Sequence, residues 1–143
     1  MTQTYARKIN YYETDQMGIV HHSNYIKYIE EARLFYMEKN GLSYEEIEAR
    51  GVIIPVLGVD VKYEKVLCFG DEIEVAVCME NVSLTKHLVR YEIKNKKTGE
   101  IHARATSQHC FLDKNMKPIR LKKYAPDIYE RFYCMMGLSS NFV

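Results

Sequence analysis

The sequence predicts an α+β domain in which one long, mostly apolar helix lies on an antiparallel sheet of about five strands. Three observations carry that prediction. Apolar residues recur at helical spacing over 24–40, and alternation of period two then marks successive segments from Val59 onward. The connections between those segments are short, which favours antiparallel neighbours.

A first strand is predicted over about 4–12. In the helix that follows, Tyr25, Tyr28, Ile29, Ala32, Phe35 and Tyr36 share the apolar arc, while Lys27, Glu30, Glu31 and Glu38 gather on one narrow side. Such a helix is wrapped on more than half of its circumference. Ser23 is its expected N-cap and Gly41 its left-handed stop. Arg33 falls inside the apolar arc, so it needs a carboxylate or carbonyl partner, because an unpaired buried guanidinium is costly. A short second helix follows from the capping-box spacing of Ser43 and Glu46, with Gly51 ending it. Strands with one covered face are then read from Val59, Val61 and Tyr63, from Ile73, Val75 and Val77, and from Val89, Tyr91 and Ile93. The turn residues KNKKTGE lead to a further strand over 101–112. Pro118 and Pro126 precede a last amphipathic helix over about 127–136, and LSSNFV reads as a loose tail. One domain over 1–143 is expected, with 1–136 as its ordered core and 137–143 as the tail.

Charge and composition exclude several classes. The chain carries 20 Lys and Arg against 19 Asp and Glu, so no strong field invites nucleic acid or an anionic membrane. No run approaches the roughly 20 apolar residues of a membrane span, and the N-terminus lacks a secretion signal. A soluble cytoplasmic protein is the expectation. Its four cysteines are scattered without a C-x-x-C pair and read as reduced, structural thiols. No G-x-S-x-G elbow and no glycine-rich phosphate loop is present. His21 and His22 are neighbours rather than an i, i+4 pair, so neither a metal nor a cofactor is expected. His87, His102 and His109 lie in or beside strands and read as core or surface residues.

The stretch YETDQMGIVHHSNY, residues 12–25, holds the chemistry. Asp15 sits in the crossover from strand to helix, where free N–H groups and the positive end of the helix dipole collect. A carboxylate there can attack a polarised carbonyl or activate a water, while the N–H groups stabilise the developing charge. Gly18 lets the backbone turn sharply and approach a ligand closely. The spacing leaves a plainer reading open, in which Asp15 forms an Asx turn and Gly18 a bend. Tyr25, Tyr28 and Tyr36 either line an acyl or aromatic pocket or belong to the core.

Tyr11, Thr14, Asp15, Gly18, Val20, His22, Asn24 and Tyr25, followed by EEAR at 30–33 and FGDEIEV at 69–75, resemble the 4-hydroxybenzoyl-CoA thioesterase family. The resemblance implies a hotdog fold, an antiparallel sheet curled around one long central helix, in a homodimer or homotetramer with active sites at the subunit interface. It implies an acyl-CoA thioesterase, with acyl-CoA or an acyl carrier protein thioester as substrate. Asp15 matches the family's nucleophile or general base. His22 matches the position whose backbone N–H polarises the thioester carbonyl. Asn24 and Tyr25 match positions that shape the pocket, and Gly18, Ile19 and Val20 match the loop that walls the acyl group. One departure stands out: many relatives carry a proline after the tyrosine of the strand following the helix, whereas this chain reads YEKVLCFGD with Val66. Two other classes remain open, a noncatalytic acyl-thioester binding module and a hydroxyacyl-thioester dehydratase that recruits His87 or His109.

Overall fold

The computed structural model describes residues 4–136. The expected tail at 137–143 lies outside the described residues. Strand β1 spans Tyr5–Lys8, shorter than expected, because the chain turns into a 3-10 helix at Tyr11–Glu13. Helix α1 follows at Ser23–Lys39 and helix α2 at Tyr44–Ala49. Four strands come next: β2 at Val56–Tyr63, β3 at Glu72–Val82, β4 at Lys86–Asn95 and β5 at Ile101–Cys110. A short α3, Leu121–Tyr124, lies between Pro118 and Pro126, and α4 closes the order at Pro126–Met135.

Both helix stops form as the glycines require. Gly41 adopts φ +81°, its N–H donates to Glu38 O, and the Leu42 N–H reaches back to Met37 O at 2.8 Å. This is a Schellman motif. Gly51 repeats it for α2, with Val52 N–H on Ile47 O. Ser43 caps α2 by accepting from the Glu46 N–H. The start of α1 differs from expectation. Ser23 is the first helical residue rather than the cap, and His21 Nδ1 accepts the Ser23 N–H at 3.3 Å.

The strands form one antiparallel sheet in the order β1-β3-β4-β5-β2. Its inner face presents Ile73, Val75, Val77 and Met79 from β3, Val89, Tyr91 and Ile93 from β4, and Ala103 and Ala105 from β5, all buried against Tyr25, Tyr28, Ile29, Ala32 and Tyr36 of α1. Register shifts at Met79/Asn81, Ile93/Lys94 and Val56/Gly58 add local bend and twist. On β2 the alternation does not give a covered face. Val56, Leu57, Val59 and Tyr63 stay exposed, and Val61 is only half-buried, because β2 is the outermost strand and pairs on one side alone.

Arg33 is buried, and its partner is an imidazole rather than a carboxylate or carbonyl. Its Nη1 lies 2.7 Å from Nε2 and 3.0 Å from Nδ1 of His109. A guanidinium only donates, so the ring nitrogen that it meets accepts and His109 is neutral. Ser107 Oγ, 2.7 Å from His109 Nε2 and 2.7 Å from the Tyr91 hydroxyl, extends this polar chain through the core. The ring of His87 lies 4.6 Å from that of His109 and meets Phe111 and Phe132, the latter from α4. Burial first, then the neighbouring His109 and Arg33 for His87 and the Arg33 guanidinium for His109, pushes both histidines down to about 3. Cys78 is buried as a structural thiol should be, but Cys68 and Cys134 are exposed. No helix among the described residues is long and apolar enough to cross a membrane.

The histidine pair sets a pH dependence. Between about 3 and the ordinary value of 6.5 the unfolded chain takes up protons on His87 and His109 that the folded chain refuses, so stability falls as pH drops through that window. Each such proton steepens the slope by up to about 1.4 kcal/mol per pH unit. Urea unfolding of the wild type and His87→Leu between pH 7.5 and 4 checks this: the variant should lose stability less steeply, and parallel slopes would clear His87 of the effect.

Candidate active site

The segment between β1 and α1 is built around Glu13. Its carboxylate is buried, receives Arg7 Nη2 at 2.6 Å and accepts the Asn10 N–H at 2.8 Å. Arg7 reaches Glu31 of α1 at 2.8 Å with its other amino group, and its guanidinium lies 4.6 Å from the centre of the Tyr28 ring. The Glu13 carbonyl accepts the His21 N–H at 2.9 Å and the Asn24 side-chain amide at 2.8 Å. One residue therefore ties strand, loop and helix together.

Between these anchors the chain makes a small hairpin. Thr14 pairs with Val20, the Asp15 N–H donates to Ile19 O, and the Gly18 N–H donates to Asp15 O. Gly18 has φ +80°, a conformation that a side chain would strain. Ile19 pairs with Cys68, and the Val20 N–H donates to Leu67 O, which fastens the hairpin to the bend after β2. That bend needs no proline. The Glu64 and Lys65 N–H groups donate to His102 O, and the His102 ring donates from Nδ1 to Val66 O at 2.9 Å.

Hairpin, helix start and bend enclose a cleft of about 280 Å³ lined by Asp15, Met17, Ile19, Val20, His22 and Tyr25 on one side and Tyr63, Glu64, Lys65 and Val66 on the other. Of the residues that the sequence singles out, Asp15, Ile19, Val20, His22 and Tyr25 come together here. Gly18 and Asn24 do not line the cleft: the glycine makes the turn, and the asparagine is buried as a strut beneath the loop. Asp15 is half-buried. Its Oδ1 accepts the Met17 N–H at 2.8 Å, so the Asx turn is present, while Oδ2 has no protein donor among the described residues. The His22 N–H likewise has no acceptor among the described residues. Burial pushes the Tyr25 hydroxyl up to about 12, and its side chain lines the cleft. His87 and His109 are buried in the core and do not line the cleft.

Met17, Tyr63, Glu64 and Val66 are absent from the sequence-based site. Tyr63 stands 41 positions after His22, and only the folding of β2 beside α1 brings it there, where its hydroxyl donates to the His22 carbonyl at 3.1 Å. Among the described residues no group of three or more His, Cys, Asp or Glu side chains is placed to hold a metal ion.

A five-stranded antiparallel sheet packed on one long helix, with a cleft at that helix's opening turn, defines the hotdog fold. The sequence matches the Thioesterase-like superfamily over residues 9–132, and the chain belongs to that family of thioester hydrolases. It is 37% identical to the "Putative acyl-CoA thioesterase YneP" of Bacillus subtilis (strain 168) over 121 residues, 84% of this chain and 87% of that one. The structure of the DHNA-CoA thioesterase from Staphylococcus aureus superposes with a TM-score of 0.88 at 34% identity, covering 94% of this chain and 91% of that one. SAV2348 from Staphylococcus aureus, solved in complex with CoA, shares the fold at 13% identity, with a TM-score of 0.81 and coverage of 100% of this chain and 89% of that one.

The Glu13→Gln variant should be less stable by an amount near the lower end of the roughly 3–5 kcal/mol lost when a buried ion pair keeps only one partner, since Arg7 retains Glu31. Urea unfolding at pH 7.5 measures it, and an unchanged midpoint would remove Glu13 as the anchor of the loop.

Proposed function

We propose that the protein is an acyl-CoA thioesterase in which Asp15 acts as nucleophile or general base and the His22 N–H receives the carbonyl oxygen. The observation that carries this reading is the meeting, in one cleft, of a half-buried carboxylate with one oxygen free of donors and of the cap residue of a 17-residue helix with an N–H free of acceptors, both among the described residues. Attack puts negative charge on the thioester oxygen, where a helix-terminal N–H stabilises it. The oxygen of water bonds to the acyl carbon, the C–S bond breaks, and the thiolate takes the proton that water gives up. If Asp15 attacks directly, water hydrolyses the resulting anhydride instead. A thiolate leaves readily, so no strong acid is required.

Ile19, Val20, Tyr25 and Met17 supply an apolar wall for the acyl group, and Gly18 and Asn24 support it by holding the hairpin. The substrate class is acyl-CoA or an acyl carrier protein thioester. Four free cysteines fit a cytoplasmic, reducing site of action. The dehydratase alternative loses its candidate histidines, because His87 and His109 lie away from the cleft in the core.

A panel of short, long and aromatic acyl-CoAs, followed by free-thiol release, tests the reading. Asp15→Asn should fold normally and lose on the order of 10²- to 10⁴-fold in kcat, whereas His22→Ala should lose much less because its donor belongs to the main chain. Wild-type turnover by well-folded Asp15→Asn would sink the mechanism, and binding without thiol release by the wild type would favour a sensor.

Assembly is the second expectation. Strand β2 forms an open sheet edge, with Val56, Leu57 and Val59 exposed along it. An uncovered apolar edge invites a second copy. Sedimentation at micromolar concentration should show a dimer or tetramer, and a strict monomer would contradict a site shared between subunits.

A further inference from the structure

We propose that Tyr63 is a positioning residue for hydrolysis, holding the His22 backbone so that its N–H meets the thioester oxygen. This deepens the thioesterase reading and rests on it. The opening of α1 has little else to fix it from the cleft side. His22 is the cap position, in helical conformation at φ −54° and ψ −30°, and makes no side-chain capping bond. Its carbonyl accepts the Tyr25 N–H at 3.3 Å, a long bond of 3-10 spacing, and the Tyr63 hydroxyl at 3.1 Å.

Tyr63 is itself well placed to act as a brace. It is the last residue of β2, and the Glu64 and Lys65 N–H groups immediately after it are fixed on His102 O. Its ring meets that of Tyr25 edge-on, with centres 4.8 Å apart and planes at 89°. The ring contact joins the two walls of the cleft, and the hydroxyl fixes the orientation of His22 at their junction. His21 Nδ1 holds the Ser23 N–H from the loop side, and the Tyr63 hydroxyl holds the His22 carbonyl from the cleft side. A donor that wanders by even part of an ångström stabilises an oxyanion poorly, because oxyanion stabilisation depends on preorganised geometry. The hydroxyl touches no reacting atom in this scheme. It acts through the peptide backbone of His22.

The variant Tyr63→Phe keeps the ring on Tyr25 and removes only the hydroxyl. Its kcat should fall about 10-fold, the effect of one hydrogen bond, with KM within about 2-fold of the wild type and an unchanged melting temperature. Two analogues separate positioning from packing: an acyl-CoA trifluoromethyl ketone, whose hydrate carries tetrahedral oxygens, and the matching thioether, which has no carbonyl. The ratio of their affinities counts only folded molecules. Tyr63→Phe should weaken the ketone by about the factor lost in kcat and leave the thioether unchanged. Equal weakening of both, or a raised KM with kcat intact, would make Tyr63 a substrate contact and overturn the proposal. So would wild-type kcat in Tyr63→Phe. Asp15→Asn assayed in parallel keeps the two ideas apart: activity in that variant refutes the thioesterase mechanism, while its loss alongside a fully active Tyr63→Phe refutes the positioning role alone.

Discussion

The buried pairing of Arg7 with Glu13 is the constraint on which the site depends. A carboxylate is tolerated in the protein interior only with charge and hydrogen bonds around it, and here the guanidinium and the Asn10 N–H supply both. Because Arg7 belongs to β1 and also grips Glu31 of α1, the ion pair fixes the distance between sheet edge and helix. The backbone carbonyl of Glu13 then receives His21 and Asn24, which brings the helix start beneath the loop. The hairpin bearing Asp15 is strung between those anchors and has nowhere else to go.

This construction explains why polar residues of the motif differ in role. Asn24 and Gly18 serve geometry, one as a strut and the other as the single turn residue free to take positive φ. Asp15 is left with one oxygen in an Asx turn and the other without a protein donor among the described residues, so the structural and chemical readings of that side chain coexist. An Asx turn holds a carboxylate in place without neutralising it, which suits the role proposed for Asp15.

The far side of α1 obeys a different rule. Arg33 enters the core and meets a neutral imidazole, which accepts its hydrogen bond without adding a second charge. The chain from Arg33 through His109 and Ser107 to Tyr91 gives a sheet-to-helix contact that apolar packing alone does not specify. In a core made mainly of aliphatic and aromatic side chains, such directional bonds fix the helix in one position on the sheet.

One long helix on an antiparallel sheet was legible in the sequence, because helical and strand periodicities are local and the glycines at 41 and 51 punctuate them where positive φ is required; its hotdog form was implied by the family resemblance. Asp15 and His22 were legible because a short motif sits directly before the helix that it serves. Tyr63, the imidazole partner of Arg33 and the exposure of β2 were not. Each depends on which strand lies beside which helix, and alternation in β2 reads the same whether that strand is central or at the edge. The sequence by itself determined the main elements and the placement of Asp15 and His22 at the start of the long helix. Tertiary structure alone decided the second wall of the cleft and the company of Arg33, since contacts between residues 41 or 76 positions apart arise from packing and leave no local pattern.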